Sequence, residues 1–262
     1  MTERIRVVVA GAAGRMGKEA VKAISAVPDL ELVGCLTGRS HVGEDAGSVA
    51  GMGPIGLPLE TDLAAVLQRT QPGVLVDLTL PHVVASNLDT AAAHGIHTVV
   101  GTTGLPEDRL AGWDQTFKAK GRTALICPNF ALGAILMIEF AKQAARYFPD
   151  SAIVEWHHAA KVDAPSGTAL RTAQAIGDPQ RVRPANEAPS LGERIQGVPV
   201  HSIRLPGLLA HQEVVFGGPG QVLTIRHDAL SRECYMPGLL LAVRQVHTLS
   251  GLVVGLEHLI QR

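Results

Sequence analysis

Aromatic side chains are scarce in this sequence of 262 residues, which holds two Trp, two Tyr and five Phe. A protein that binds single-stranded nucleic acid by stacking bases on aromatic rings would have little to work with here. Neither sign of charge dominates. With 23 Lys and Arg against 24 Asp and Glu, the formal net charge is −1, so neither nucleic acid nor a membrane surface is expected as a partner. The three cysteines, Cys35, Cys127 and Cys234, lie far apart and form no Cys-x-x-Cys pair. That excludes a zinc knuckle and a disulfide framework, and it fits a reducing cytoplasm. Long apolar runs are missing as well. The longest, 131–138, is broken by Glu139 and Lys142 and cannot cross a bilayer, while the run before Gly11 is too short for the core of a secretory signal. A soluble protein with a small-molecule partner is expected.

What the sequence does contain is a 46% apolar fraction, enough for a real core, together with 28 Gly and 16 Pro for tight turns. Its first 130 residues alternate short apolar runs with segments of helical period, the pattern of a parallel sheet covered by helices. Strands are expected at 5–10, 30–36, 74–79, 98–101 and 124–127. Helices are expected at 18–27, 83–94 and 63–68, the last capped by Thr61-Asp62. A long helix over 132–148 follows Pro128-Asn129-Phe130, and the pattern then changes. A second domain is expected over 131–232, with 233–262 returning to complete the first domain, 1–130. It opens with a strand at 152–157 and a helix from Gly167 to Ile176, capped by Ser166 and stopped by Gly177. A polar loop over 178–197 follows, then strands at 198–205, 212–216 and 222–227, the last two joined through residues 217–220. The last apolar stretch, 238–246, is helical in period. The fold class expected is α/β: a Rossmann-like, doubly wound parallel sheet plus an α+β domain with an open mixed sheet.

Just after the first strand stands Gly11-Ala12-Ala13-Gly14-Arg15-Met16-Gly17. This is a variant of the dinucleotide fingerprint in which Ala13 replaces the middle glycine. Such a turn lets backbone N–H groups approach a pyrophosphate at a helix N-terminus, where the helix dipole favours negative charge. Arg15 adds a cation. The alternative is a glycine-rich turn with no cofactor. About 20 residues further on, where an acidic residue often holds the ribose 2′-hydroxyl of NAD, the chain reads Thr37-Gly38-Arg39-Ser40 with no carboxylate until Glu44. Thr37 and Arg39 suit a 2′-phosphate, so NADPH is expected as the preferred cofactor, with NADH possible. Two later strand ends, Gly101-Thr102-Thr103-Gly104 and Cys127-Pro128-Asn129-Phe130, are candidates for the nicotinamide side of the same site.

The densest chemistry lies in EWHHAAKVDAPSGTAL, residues 155–170. His157, His158 and Asp163 are metal-ligand types, but adjacent strand residues point to opposite faces, Lys161 would repel a cation, and no metal-binding spacing is present. No metal is expected. An anion site fits better: Lys161 supplies charge, and Ser166 opens a helix whose first turn would present the N–H groups of Gly167 and Thr168 to a carboxylate, so Ser166, Gly167 and Thr168 are candidate substrate-binding residues. A histidine and the lysine then remain for proton transfer. The alternative is a strand-end histidine pair beside a capped helix.

The glycine turn, Gly101 to Gly104, Asn129-Phe130 and above all His157-His158-x-x-Lys161-x-Asp163-Ala164-Pro165-Ser166-Gly167-Thr168-Ala169 resemble the 4-hydroxy-tetrahydrodipicolinate (dihydrodipicolinate) reductase family of lysine and diaminopimelate biosynthesis. The resemblance runs in order along nearly the whole chain. It implies a dinucleotide-binding domain that the chain re-enters at its end, a hinge, and a second domain that binds a small dicarboxylate and builds a homotetramer. It further implies that His157 and Lys161 are the catalytic pair, that His158, Gly167 and Thr168 touch substrate, and that 11–17, 101–103 and 127–130 bind cofactor. Two rival readings stand beside it: a semialdehyde dehydrogenase with Cys127 as nucleophile, and a non-catalytic NADPH sensor.

Overall fold

The structure, a computed structural model, describes residues 4–178 and 191–260. The chain divides into two compact units, one made of Met1–Phe130 with Tyr235–Arg262 and the other of Ala131–Cys234.

The first unit begins with β1 (Ile5–Ala10), α1 (Arg15–Ser25), β2 (Leu30–Leu36), α2 (Ala46–Ala50), β3 (Leu59–Glu60), α3 (Leu63–Thr70), β4 (Val74–Asp77), α4 (Pro81–His94), β5 (His97–Val100), α5 (Glu107–Ala119) and β6 (Thr123–Ile126). Every residue of β4 and β6 is buried. Strands covered on both faces read as continuous apolar runs rather than alternating ones, which is why these segments are legible as parallel strands. β4 is shorter than expected because the Asp77 carboxylate accepts hydrogen bonds from the N–H and the hydroxyl of Thr79, turning the chain out of the ladder. α3 starts where Asp62 predicts, with its carboxylate accepting from the Ala65 N–H. α5, not anticipated, buries only Trp113 and Phe117, too few positions for a clear helical period.

The second unit contains α6 (Leu132–Ala144), β7 (Asp150–His157), α7 (Gly167–Ile176), β8 (Glu193–Ile195), β9 (Val198–Arg204), β10 (Ala210–Gly218) and β11 (Gln221–Ala229). Among the described residues its sheet runs β11-β10-β7-β9-β8, with β7 and β9 parallel and the other neighbours antiparallel: an open mixed sheet. One face buries Ile153, Val200, Val214 and Phe216 against Met137 and Ala141 of α6 and Ala169 and Ala173 of α7. The spacing of Val214 and Phe216 is the two-residue period that puts side chains on one face of a strand. α6 ends before Phe148, which packs its ring on Phe216. β10 and β11 extend through Gly218 and from Gln221, so Pro219 and Gly220, the latter at φ 72, make a two-residue turn. The loop expected over 178–197 falls largely outside the described residues, and its end, Glu193–Ile195, is a strand on β9.

The chain then returns to the first unit as α8 (Met236–Gln245), β12 (Gly251–Val254) and α9 (Glu257–Ile260). Among the described residues the first sheet runs β12-β6-β5-β4-β1-β2-β3, parallel throughout. The described residues contain no helix long and apolar enough to cross a membrane.

At the start of β5, His97 Nδ1 accepts the Thr123 N–H at 3.1 Å. Burial, with help from Arg122 and His247, pushes this imidazole down from 6.5 to about 4. Native His97 is then neutral where the unfolded chain's is protonated, so its contribution to stability is present above pH 6.5 and lost as pH falls towards 4. Urea unfolding across that window should show stability rising with pH, and His97→Gln should flatten the slope. An unchanged slope would assign it to other groups.

Candidate active site

The order β4-β1-β2 reverses direction at β1, and ligands of such sheets collect at the carboxyl ends of strands where this happens. The glycine turn sits there. Gly11 has φ 81, and a Cβ on it would lie 2.8 Å from the Leu78 carbonyl oxygen. A Cβ on Gly17 would lie 2.0 Å from the Gly11 carbonyl oxygen. Both positions therefore demand glycine, whereas Ala13 at the fingerprint's middle position is accommodated. The Gly11 and Ala12 N–H groups donate to the Leu36 carbonyl at 3.0 and 2.9 Å, tying the turn to β2. Gly14 caps α1 with no side-chain hydrogen bond, and no acidic residue lies in the helix's first turn. The positive end of α1 is thus left for an outside anion, with Arg15 exposed beside it and Met16 half-buried. This cradle fits a dinucleotide pyrophosphate.

At the end of β2, Thr37 is 9% exposed, donates its hydroxyl to the Ser40 carbonyl and its N–H to the Glu60 carbonyl. Its hydroxyl hydrogen shapes the turn, beside which Arg39 and Ser40 are exposed. At β5, a Cβ on Gly101 would lie 2.6 Å from Leu78 Cδ2 and 2.9 Å from Phe130 Cε2, so Leu78, Gly101 and Phe130 form one continuous edge. Thr102 donates its hydroxyl to the Thr79 carbonyl, and Thr103 is exposed. Cys127 donates its N–H to Val100, and its side chain is buried, which counts against a nucleophile; Pro128 and Asn129 follow it at the rim. Beneath this edge lies a residue the sequence reading missed. Burial pushes the Asp77 carboxyl up, against hydrogen bonds from Thr79 and from Asn87.

In the second unit the site grows from the end of β7. Glu155 and His157 are two residues apart and share a face of the strand. Glu155, wholly buried, shares a very short hydrogen bond with His157 Nδ1. Arg204 at the end of β9 holds the same carboxylate with both terminal nitrogens, at 2.8 and 3.0 Å, and the Ser166 N–H reaches it at 3.4 Å. Burial pushes the Glu155 carboxyl up, but hydrogen bonds from His157, Arg204 and Ser202 outweigh it and hold the group at about 2.

Beyond His157 the chain turns, with the Lys161 N–H donating to the His158 carbonyl. Lys161 Nζ donates to both oxygens of Asp163, at 2.7 and 2.8 Å, and Arg204 donates to the Asp163 backbone carbonyl at 2.7 Å. Asp163 is thus the resting partner of Lys161. Ser166 is 2% exposed and its hydroxyl accepts the Ala169 N–H, so it builds the start of α7 rather than presenting its oxygen to a ligand. Next to it Gly167 is exposed, and a Cβ there would meet nothing within 4 Å. Packing does not require that glycine. Thr168 follows half-buried, and no acidic residue lies in the first turn of α7. His157, His158, Lys161, Gly167 and Thr168 therefore fall within one short strand-end loop and the helix it leads into. Among the described residues no cluster of His, Cys, Asp or Glu is arranged to hold a metal ion.

Residues 5–130 match the family model described as dihydrodipicolinate reductase, N-terminus, and residues 133–260 match its C-terminus. The sequence is 48% identical to a 4-hydroxy-tetrahydrodipicolinate reductase of Moorella thermoacetica, over 100% of both chains. It is 46% identical to one from a Synechocystis species, over 98% of each. Among solved structures, the dipicolinate-bound dihydrodipicolinate reductase from Paenisporosarcina sp. TG-14 is similar at TM-score 0.86 and 38% identity, covering 97% of this chain and 99% of the other.

Proposed function

The chain belongs to the dihydrodipicolinate reductase family of nicotinamide-dependent oxidoreductases, and from that premise we propose that it reduces 4-hydroxy-tetrahydrodipicolinate to tetrahydrodipicolinate in lysine and diaminopimelate biosynthesis. The observation that carries this reading is the loop from His157 to Thr168, which puts two proton-bearing side chains beside an unobstructed helix start.

When bound, the cofactor supplies hydride. The Gly11 to Gly17 turn and the start of α1 would hold its pyrophosphate, Arg39 its 2′-phosphate, and the edge of Gly101, Thr102, Thr103 and residues 127–130 its nicotinamide end. One substrate carboxylate sits on the N–H groups of Gly167 and Thr168, with His158 alongside. Loss of the 4-hydroxyl as water, addition of hydride to the unsaturated ring and addition of one proton together balance the reaction. The proton comes from the Lys161 and His157 pair, which quenches the charge that hydride leaves on the ring. As the dicarboxylate binds, its negative charge competes with Asp163 for Lys161 and draws the ammonium towards the reacting ring. The protein works in the cytoplasm as a homotetramer built through the second unit, whose outermost strand β11 leaves Val222 70% and Leu223 38% exposed.

The test is loss of NADPH absorbance with substrate made in situ from pyruvate and aspartate semialdehyde by the preceding enzyme. NADPH should be the better cofactor. Arg39→Ala should raise its KM by about tenfold or more, the scale of one lost charge-assisted hydrogen bond, with little effect on NADH. Equal use of both cofactors by the unmodified protein would remove Arg39 from the 2′-phosphate site, and no turnover with either would sink the reductase reading.

A further inference from the structure

An ionised carboxylate in the middle of a sheet is costly to bury, and an apolar residue would serve the strand better. Glu155 is nonetheless 0% exposed. Its cost is met by the two-pronged Arg204 contact, which neutralises the charge and occupies one lone pair on each oxygen. What remains of Oε2 is spent on His157. Resting on the reductase reading, we infer that Glu155 is a positioning residue for the reaction: it fixes His157 with a hydrogen on Nδ1, so that Nε2 is the atom that gains and loses the proton.

The logic is one of donors and acceptors. An ionised carboxylate can only accept, so the nitrogen that touches it must carry hydrogen in both charge states of the ring. Nδ1 is therefore committed, and the two ring nitrogens are no longer equivalent. His157 keeps 13% of its side chain exposed, so the ring is held nearly closed against its partners with one nitrogen left for the site. Arg204 extends the same control to the other proton carrier. Its Nη2 grips both Glu155 and the Asp163 carbonyl, two residues from Lys161, so one carboxylate–guanidinium pair holds the strand end and the turn together. The Ser166 N–H on Glu155 Oε1 links the start of α7 to the same pair.

The decisive substitution is Glu155→Gln, which keeps size and removes acceptor-only character. With its carbonyl kept at the Oε1 position, accepting from Arg204 Nη2 and the Ser166 N–H, the glutamine would put its NH₂ at the Oε2 position, offer it to Nδ1 and drive the proton to Nε2. Nitrogen NMR of the full chain labelled in histidine, with His157 assigned by its loss in His157→Asn, should show the Nδ1–H tautomer of the neutral ring in the unmodified protein and Nε2–H in Glu155→Gln. Turnover should fall about tenfold to a hundredfold with the KM for NADPH unchanged, and Glu155→Gln should cost nothing further in a His157→Asn background. Equal losses in both backgrounds, or an unmoved tautomer, would make Glu155 merely structural. If Glu155→Gln does not fold, the unmodified protein still decides: a neutral His157 protonated on Nε2 overturns the inference. Failure of the reductase reading looks different, since it is an unmodified protein inactive with substrate and NADPH while His157 stays in the Nδ1–H form.

Discussion

Replacing Lys161 by alanine should lower kcat by about 10²-fold or more, the range for a lost general acid, while NADPH binds as before. The expectation rests on position as well as residue type. Lys161 keeps 22% of its side chain exposed and is held at rest by Asp163, itself 61% exposed, rather than by a buried partner. That pair is easily displaced, because an ion pair open to water contributes little to stability. Alanine at 161 should therefore leave folding almost untouched, and a fall in turnover can be assigned to chemistry. The cofactor cradle lies in the other unit, so cofactor affinity read by NADPH fluorescence should not move. Stopped-flow measurement of a single turnover isolates the step, and a near-normal rate there would remove Lys161 from the reaction. Asp163→Asn should have a smaller effect, since it frees Lys161 without deleting it.

Gly17→Ala is the second large effect. One methyl group placed 2.0 Å from the Gly11 carbonyl oxygen cannot be absorbed by a rotamer change, because the obstacle is backbone. Either α1 moves away from β1 or the turn changes path, and both spoil the approach of N–H groups to a pyrophosphate. A loss of about 3 kcal/mol or more is expected, at the upper end for overpacking, together with at least roughly a hundredfold weaker NADPH binding. Thermal unfolding and a fluorescence titration measure the two. Gly14→Ala is the control for stability alone, since its Cβ would come no closer than 3.1 Å to the same oxygen and should cost far less folding energy. A Gly17→Ala protein with native stability and affinity would mean that the turn takes another course in solution.

Much of the fold was legible because local cues agreed with one another. α7 begins and ends where Ser166 and Gly177 predict, and β1 and β2 match the expected apolar runs. The elements that were missed carry too little local signal to be read from their own residues. β12 is four residues long with no period of its own and is a strand only because β6 offers it an edge, while β8 exists by pairing with β9. The candidate site divides in the same way. His157, Lys161, Gly167 and Thr168 are close in sequence and could be read as a group. Glu155 and Arg204 are 49 residues apart and meet because β7 and β9 run parallel, with His157 opposite Arg204 in the register. Nor does a sequence reveal that the hydroxyls of Thr37 and Ser166 are already engaged by their own turns.

The first unit is discontinuous, and this has a consequence for how the protein is made. While the chain is being synthesised, residues 1–130 leave the ribosome well before β12 and α8 exist. During that interval β6 is an edge strand with unpaired backbone groups, and Phe130, against whose carbonyl Gly238 of α8 later closes, lacks its cover. The nascent first unit is therefore a sticky intermediate whose lifetime is set by the rate of translation through the second unit. Slow codons within 131–234 should raise aggregation without altering a single residue of the finished protein.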